Sequence, residues 1–200
     1  MKERAGLLAV VAVVLCLTPT SFIALPAVAR TQDTQVALSP ADKQVVAAFE
    51  GRVKEYVRLR DRLGAKLPKL SKDATPEQIE AHKKSFQDSV RAARVGAKPG
   101  DIFIPEAAAL IRATIKDEFK GRDRAELRKT VLVESEIKGV PLRVNYPYPE
   151  TQELLEMPPT LLLRLPQLPK QVKYRFVGRN MLLLDRENGL IVDYMLDALP

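Results

Sequence analysis

His82 is the single histidine in 200 residues, and Ser85 and Asp88 follow it within two helical turns. These are the side chains of nucleophilic acyl transfer, where the imidazole takes the serine proton and the acid orients the imidazole. Such a triad draws its members and its oxyanion hole from separate elements, which one stretch of helix does not provide. The spacing instead reads as a helix residue at the edge of an apolar stripe. Acidic side chains come in loose groups: Asp117 with Glu118, Glu134 with Glu136, and Glu150, Glu153 and Glu156. None has the alternating ligand spacing of a calcium loop, so solvated surface is the expectation. One histidine and one cysteine, Cys16, serve zinc or copper poorly. Gly178 and Gly189 are isolated turn glycines rather than parts of a phosphate-binding loop. No catalytic residue, no metal ligand and no cofactor is therefore expected.

The candidate binding residues lie in the C-terminal half. Asp185 and Asp193 interrupt apolar runs, with Arg175, Arg179 and Arg186 close in sequence. One reading is a small polar pocket that grips a ligand. The preferred reading is a set of surface ion pairs across strands, each contributing roughly 0–1 kcal/mol. Tyr146 and Tyr148 stand in a proline-rich stretch and are expected as exposed contacts, since tyrosine joins an apolar body to a polar tip. Tyr174 and Tyr194 are expected to fill the core.

Residues 39–138 must supply the helices that position these groups. Ser39-Pro40-Ala41-Asp42 is a helix start, with a capping serine and a proline at the first helical position. Val45, Val46, Phe49, Val53, Tyr56, Val57 and Leu63 then recur with helical period, and Gly64 is a stop. Glu50 with Lys54 and Arg58 with Asp61 are spaced to pair along this helix. Thr75-Pro76-Glu77-Gln78 repeats the start signal, followed by Ile79, Phe86, Val90 and Ala93. The two helices are expected to form an antiparallel hairpin. Pro105-Glu106 opens a third, with Ala108, Ile111, Ile115 and Phe119 on one face, and a shorter fourth runs from Arg124 to about Glu134.

Between Pro141 and Pro169 lie seven of the 15 prolines, which excludes a long helix. Residues 139–171 thus read as a connector, with a short strand at Leu142–Tyr146 and a short helix at Pro159–Leu165 whose leucines cover the core. Residues 172–200 read as a three-stranded meander. Tyr174 and Phe176 alternate with Lys173 and Arg175, and turns fall at Gly178-Arg179-Asn180 and Arg186-Glu187-Asn188-Gly189. With Gly189 as a left-handed bulge residue, Leu184 faces Val192 and Leu182 faces Tyr194. Three strands with one apolar face cannot stand alone. The fold class expected is α+β: three to four helices packed on this meander, with residues 39–200 forming one domain.

The N-terminus sets the compartment. Lys2 and Arg4 precede an uncharged apolar run, Ala5–Leu17, and Ala27-Val28-Ala29 gives a small-residue cleavage pattern. Residues 1–29 read as a secretory signal peptide cleaved after Ala29, and 30–38 as a flexible leader. The alternative is a retained anchor, since Ala5–Ala29 is long enough to span a bilayer. Pro19, Pro26 and the polar cluster around Thr18–Ser21 favour cleavage. The cleaved chain would keep no cysteine, so no disulfide and no thiol nucleophile. Basic residues number 32 against 25 acidic; loss of Lys2, Glu3 and Arg4 leaves 30 against 24, a net charge of +6. The charges are interspersed, which together with export argues against nucleic acid as partner.

The tail YRFVGRNMLLLDRENGLIVDYM resembles the ending of several uncharacterised exported bacterial proteins, which share a Tyr-x-x-Val-Gly strand, an apolar strand ending in Asp and an Ile-Val-Asp strand. The chain from residue 30 onward also resembles hypothetical envelope proteins with a helical first half, and more distantly periplasmic metal-homeostasis proteins with a similar terminal hairpin. The resemblance implies a periplasmic or secreted location and this α+β fold, and brings no catalytic residue with it. The resulting expectation is a non-enzymatic protein that binds another envelope component, an envelope protein foremost, through an open strand edge, without stable membrane insertion. The alternatives are a carboxylate-based hydrolase and a periplasmic metal or stress chaperone.

Overall fold

The computed structural model describes residues 38–120, 141–148 and 157–199. They belong to one compact unit, Leu38–Pro200. The expected signal peptide, most of the leader, the fourth helical segment at Arg124–Glu134 and the acids Glu134, Glu136, Glu150, Glu153 and Glu156 lie outside the described residues.

The fold is α+β, with helices followed by a C-terminal antiparallel sheet. Helix α1 spans Pro40–Gly64, α2 Pro76–Ala93 and α3 Pro105–Glu118. Each begins with proline, whose missing N–H would be unpaired there in any case. Ser39 caps α1 by accepting from the N–H of Asp42, and Thr75 and Gln78 close a full capping box on α2. The α1 stripe buries Phe49, Val53, Tyr56, Val57 and Arg60. In α2 it buries Phe86 and Val90, while Ile79 at the helix start and Ala93 at its end are exposed, a correction to the expected stripe. Arg94 and Tyr56 meet, as do Phe86 and both Arg60 and Gly64, so the two helices run antiparallel. Gly64 is the last residue of α1 but is not left-handed. A Cβ there would stand 3.3 Å from the Phe86 ring, so close approach of the helices is what selects glycine.

Strands β1 (Val172–Val177), β2 (Asn180–Asp185) and β3 (Ile191–Met195) form a meander in sequence order. Val172, Tyr174 and Phe176 of β1 point to the helices, as do Met181 and Leu183 of β2. Phe49, Phe103 and Tyr174 stack at the centre of this layer, with centroids 5.5–6.5 Å apart. Tyr174 thus fills the core, as expected, whereas Tyr194 packs only half-buried on the opposite face. Gly189 is left-handed at φ +72° and Leu182 pairs with Tyr194, both as expected. Leu184, however, pairs with Ile191 rather than Val192, because the register shifts between Leu183 and Leu184.

That shift has two consequences. Val192 and Asp193 both point to the helical layer, which strict alternation would forbid. The sheet is also covered on both faces. Leu182, Leu184 and Ile191 bury themselves under Tyr148, with Leu142, Val177 and Tyr194 alongside. The expected short strand at Leu142–Tyr146 is instead a turn at Val144-Asn145 followed by a single bridge, Pro147 to Leu190. Its backbone bonds to Ile191 in both directions and, beyond Pro147, from Tyr148 N–H to Gly189 O, leaving proline at a position where no N–H is needed. The short helix α4, Pro159–Leu162, ends before the expected Leu165; Leu161 within it and Leu165 after it are buried, but Leu162 and Leu163 face solvent, Leu163 at 72% exposure.

Candidate functional site

Two buried acids organise the contact between helices and sheet. Asp185 ends β2 on the helix-facing side, opposite Val172. It accepts from Tyr56 Oη at 2.8 Å and Arg60 Nε at 2.7 Å, both from α1, and from the N–H groups of Glu187 and Asn188 in the turn. Arg60 also donates to Asp61 and to Glu187. Burial raises the Tyr56 hydroxyl well above its usual range, with the Asp185 charge adding to it, so Tyr56 stays a donor. Asp193 accepts from the N–H groups of Gly100 (2.9 Å), Ile102 (2.7 Å), Phe103 (2.7 Å) and Tyr194 (2.8 Å). Three of these belong to the loop that leads into α3. Burial nevertheless pushes its carboxyl above the ordinary value, outweighing the four donors.

The expectation of surface ion pairs with Arg175, Arg179 and Arg186 is therefore corrected. Both acids are fully buried; the side chains that meet Asp185 come from α1, and Asp193 is met by backbone N–H groups, three of them from the α2–α3 loop. Arg186 donates to the carbonyl of Val172, Arg175 to that of Tyr174, and Arg179 to that of Leu199. Arg179 is also 3.6 Å from Asp197 and holds the C-terminal residues through its own carbonyl. The six expected binding residues, Tyr146, Tyr148, Arg175, Arg179, Asp185 and Asp193, thus do not converge on one site.

Three groups missed in the sequence complete this interior. Arg60 and Arg94 continue the apolar stripes, seven residues after Val53 and four after Val90. A cation at a stripe position was the available signal. Arg94 lies over the Tyr56 ring at 5.0 Å and donates to Val192 O and to Asn145 Oδ1. Burial lowers its guanidinium from the usual value, against the pull of Tyr56 and Asp193. Asn145, at φ +65°, returns a bond from Nδ2 to the Arg94 carbonyl and takes one from Arg91 Nε. Asparagine is among the few residues that tolerate this backbone conformation.

Asn145 in turn presents Tyr146. The Tyr146 N–H donates to Arg143 O and its carbonyl accepts from Ile191, so the backbone is fixed on both sides. Its ring is 37% exposed, with the Arg143 guanidinium 3.9 Å and that of Arg91 4.8 Å from the centroid. Cations over an aromatic face are stabilised by the ring quadrupole. The two guanidinium carbons are at most roughly 9 Å apart, where like charges repel by about 0.5–2 kcal/mol between bulk water and a protein surface. Tyr146 is exposed, as expected. Tyr148 is not: its ring is buried against the outer face of the sheet, and its hydroxyl has no hydrogen-bond partner among the described residues.

The remaining candidates separate. Ser85 donates to Ala81 O and Asp88 pairs with Arg91, so neither is turned to His82. Asp117 and Glu118 are bridged by Arg164 from the residues after α4, and Asp117 is held below the usual carboxylate range by that bond. Glu50 and Lys54 pair at 3.6 Å as expected, whereas Asp61 is taken by Arg60 rather than Arg58. Among the described residues, no three His, Cys, Asp or Glu side chains converge as a metal site, and no helix is long and apolar enough to cross a membrane. The chain matches no family model, no curated protein and no solved structure.

Proposed function

We propose that this is an exported, non-enzymatic protein that binds another component of the cell envelope. The observation that carries the reading is the surface around Tyr146, where an exposed aromatic ring and two cations are held on a backbone bonded to β3. Tyrosine and arginine are the residue types most often central to protein interfaces. The buried charges, by contrast, turn toward the protein's own groups. Asp193, whose carboxyl is raised as a general acid requires, is closed off from solvent with both oxygens taken by backbone N–H groups. That disfavours a carboxylate hydrolase centred on it.

Binding by strand addition, the mode expected from the sequence, has little support. Among the described residues, the β3 edge is occupied by Asn145 and Tyr146 at Ile191 and by Arg94 at Val192 O. The carbonyls of Val172 and Tyr174 in β1 already accept from Arg186 and Arg175. Side-chain recognition at Tyr146 is the better-supported mode. The test is capture from envelope extract on immobilised protein with a salt titration. One saturable partner retained at physiological salt supports the reading; only heterogeneous, salt-sensitive material refutes it.

A further inference from the structure

We infer that Arg91, Arg143 and Tyr146 form a docking site for an acidic peptide segment of a partner protein. The inference rests on the binding reading above and names the chemistry of the partner. The Arg143 side chain makes no hydrogen bond or ion pair among the described residues. Arg91 uses Nη1 on Asp88 and Nε on Asn145 O, which fixes its direction and leaves Nη2 open. Stacking of the guanidiniums on Tyr146 occupies the ring, so what the patch offers a ligand is the Arg143 fork and the Arg91 Nη2 donor beside a phenol hydroxyl. Such donors suit anions with paired oxygens.

An acidic peptide fits this arrangement on two grounds. Each residue of an extended chain advances roughly 3.3 Å, so carboxylates two residues apart lie roughly 7 Å apart on one side, within the span the two guanidiniums allow. Asp88 already offsets part of the Arg91 charge, so the uncompensated cation is Arg143; a dianionic segment engages it together with the Arg91 Nη2 donor, where a single small anion meets the Arg143 fork alone. The site is preorganised: Asn145 in its left-handed conformation, bonded to Arg91, Arg94 and Ile191, sets the position of Tyr146 before any partner arrives.

Fluorescence anisotropy of a labelled dodecapeptide of alternating Glu and Ser tests this, at about 0.15 M salt to suppress diffuse attraction. The matching Gln–Ser peptide and vesicles of phosphatidylglycerol serve as comparisons. The site predicts saturable binding of the Glu–Ser peptide, at least about tenfold tighter than the Gln–Ser peptide. Arg143→Gln weakens it about tenfold with an unchanged melting temperature, and Arg58→Gln, which removes the same charge from the exposed face of α1, changes it less than about twofold. Equal weakening by both variants, or binding to vesicles but not to the peptide, overturns the proposal. Extract capture separates the two levels. A saturable partner held equally well by Arg143→Gln sinks this site and leaves the binding reading standing. An Arg143-dependent peptide interaction with no saturable partner in the extract supports the site and sinks the envelope-binding reading.

Discussion

Asparagine at position 193 keeps the shape of the side chain and replaces one acceptor oxygen with an amide NH2, a donor. In the native protein Oδ1 accepts from Gly100 and Tyr194, and Oδ2 from Ile102 and Phe103. Whichever way the amide turns, two buried N–H groups lose their acceptor and face another donor. A buried donor left unpaired costs about 1–3 kcal/mol, giving about 2–6 kcal/mol for the pair. Loss of the carboxylate offsets part of this, since burial disfavours the charged form. The net expectation for Asp193→Asn at neutral pH is a destabilisation of about 2–4 kcal/mol. With about 2–4 °C per kcal/mol for a unit of this size, the melting temperature falls by about 5–15 °C. Urea denaturation followed by circular dichroism, at a slope of about 1–3 kcal/mol per molar, reads the same loss as a lower midpoint. Asp197→Asn, at an exposed position, is the control and stays within about 0.5 kcal/mol of wild type. If Asp193→Asn behaves like Asp197→Asn, the four N–H bonds do not anchor the α2–α3 loop and this account of the helix–sheet contact is wrong.

Further predictions concern the same interior. Because folding raises the Asp193 pKa, its contribution is full below the unfolded value of about 3.9 and falls as pH rises through the folded value. The stability gap between wild type and Asp193→Asn therefore widens between pH 7 and 4 in denaturant titrations; a narrowing gap would show that the four donors outweigh burial. Arg60→Ala removes a partner of fully buried Asp185 and lowers unfolding free energy by about 3–5 kcal/mol, against less than about 0.5 for Arg58→Ala. In α1, Gly51→Ala meets nothing within 4 Å and raises stability by about 0.5–1 kcal/mol, whereas Gly64→Ala presses on Phe86 and lowers it. Equal effects of the two glycine variants on the thermal midpoint would contradict the packing described between α1 and α2.

Much of the fold was legible because its signals are local. Ser39-Pro40 and Thr75-Pro76 start helices through caps three residues apart, Pro105 starts one by its own fixed backbone angle, and Gly189 marks its turn by its own backbone conformation. The interior was not legible because its pairings are remote. Asp185 meets Tyr56 and Arg60 across 129 and 125 residues, and nothing near Asp185 in sequence announces them. The bulge in β3 compounds this. Strict alternation sends Asp193 to the outer face beside Ile191; one extra residue sends it to the helices. Tyr148 misled for a similar reason. A proline-rich flank reads as exposed, yet the bridge from Pro147 to Leu190 lays Tyr148 over the sheet. Tyr146, on the same few residues, was legible as an exposed contact, but the arginines beside its ring come from α2 and from the turn before it.

The most direct test of the central claim, that the protein works by binding, is quantitative capture from envelope extract at physiological salt, comparing wild type with Tyr146→Ala. The account predicts one saturable partner on the wild type and its loss on a variant that melts at the same temperature. The absence of any saturable partner on the wild type would contradict it.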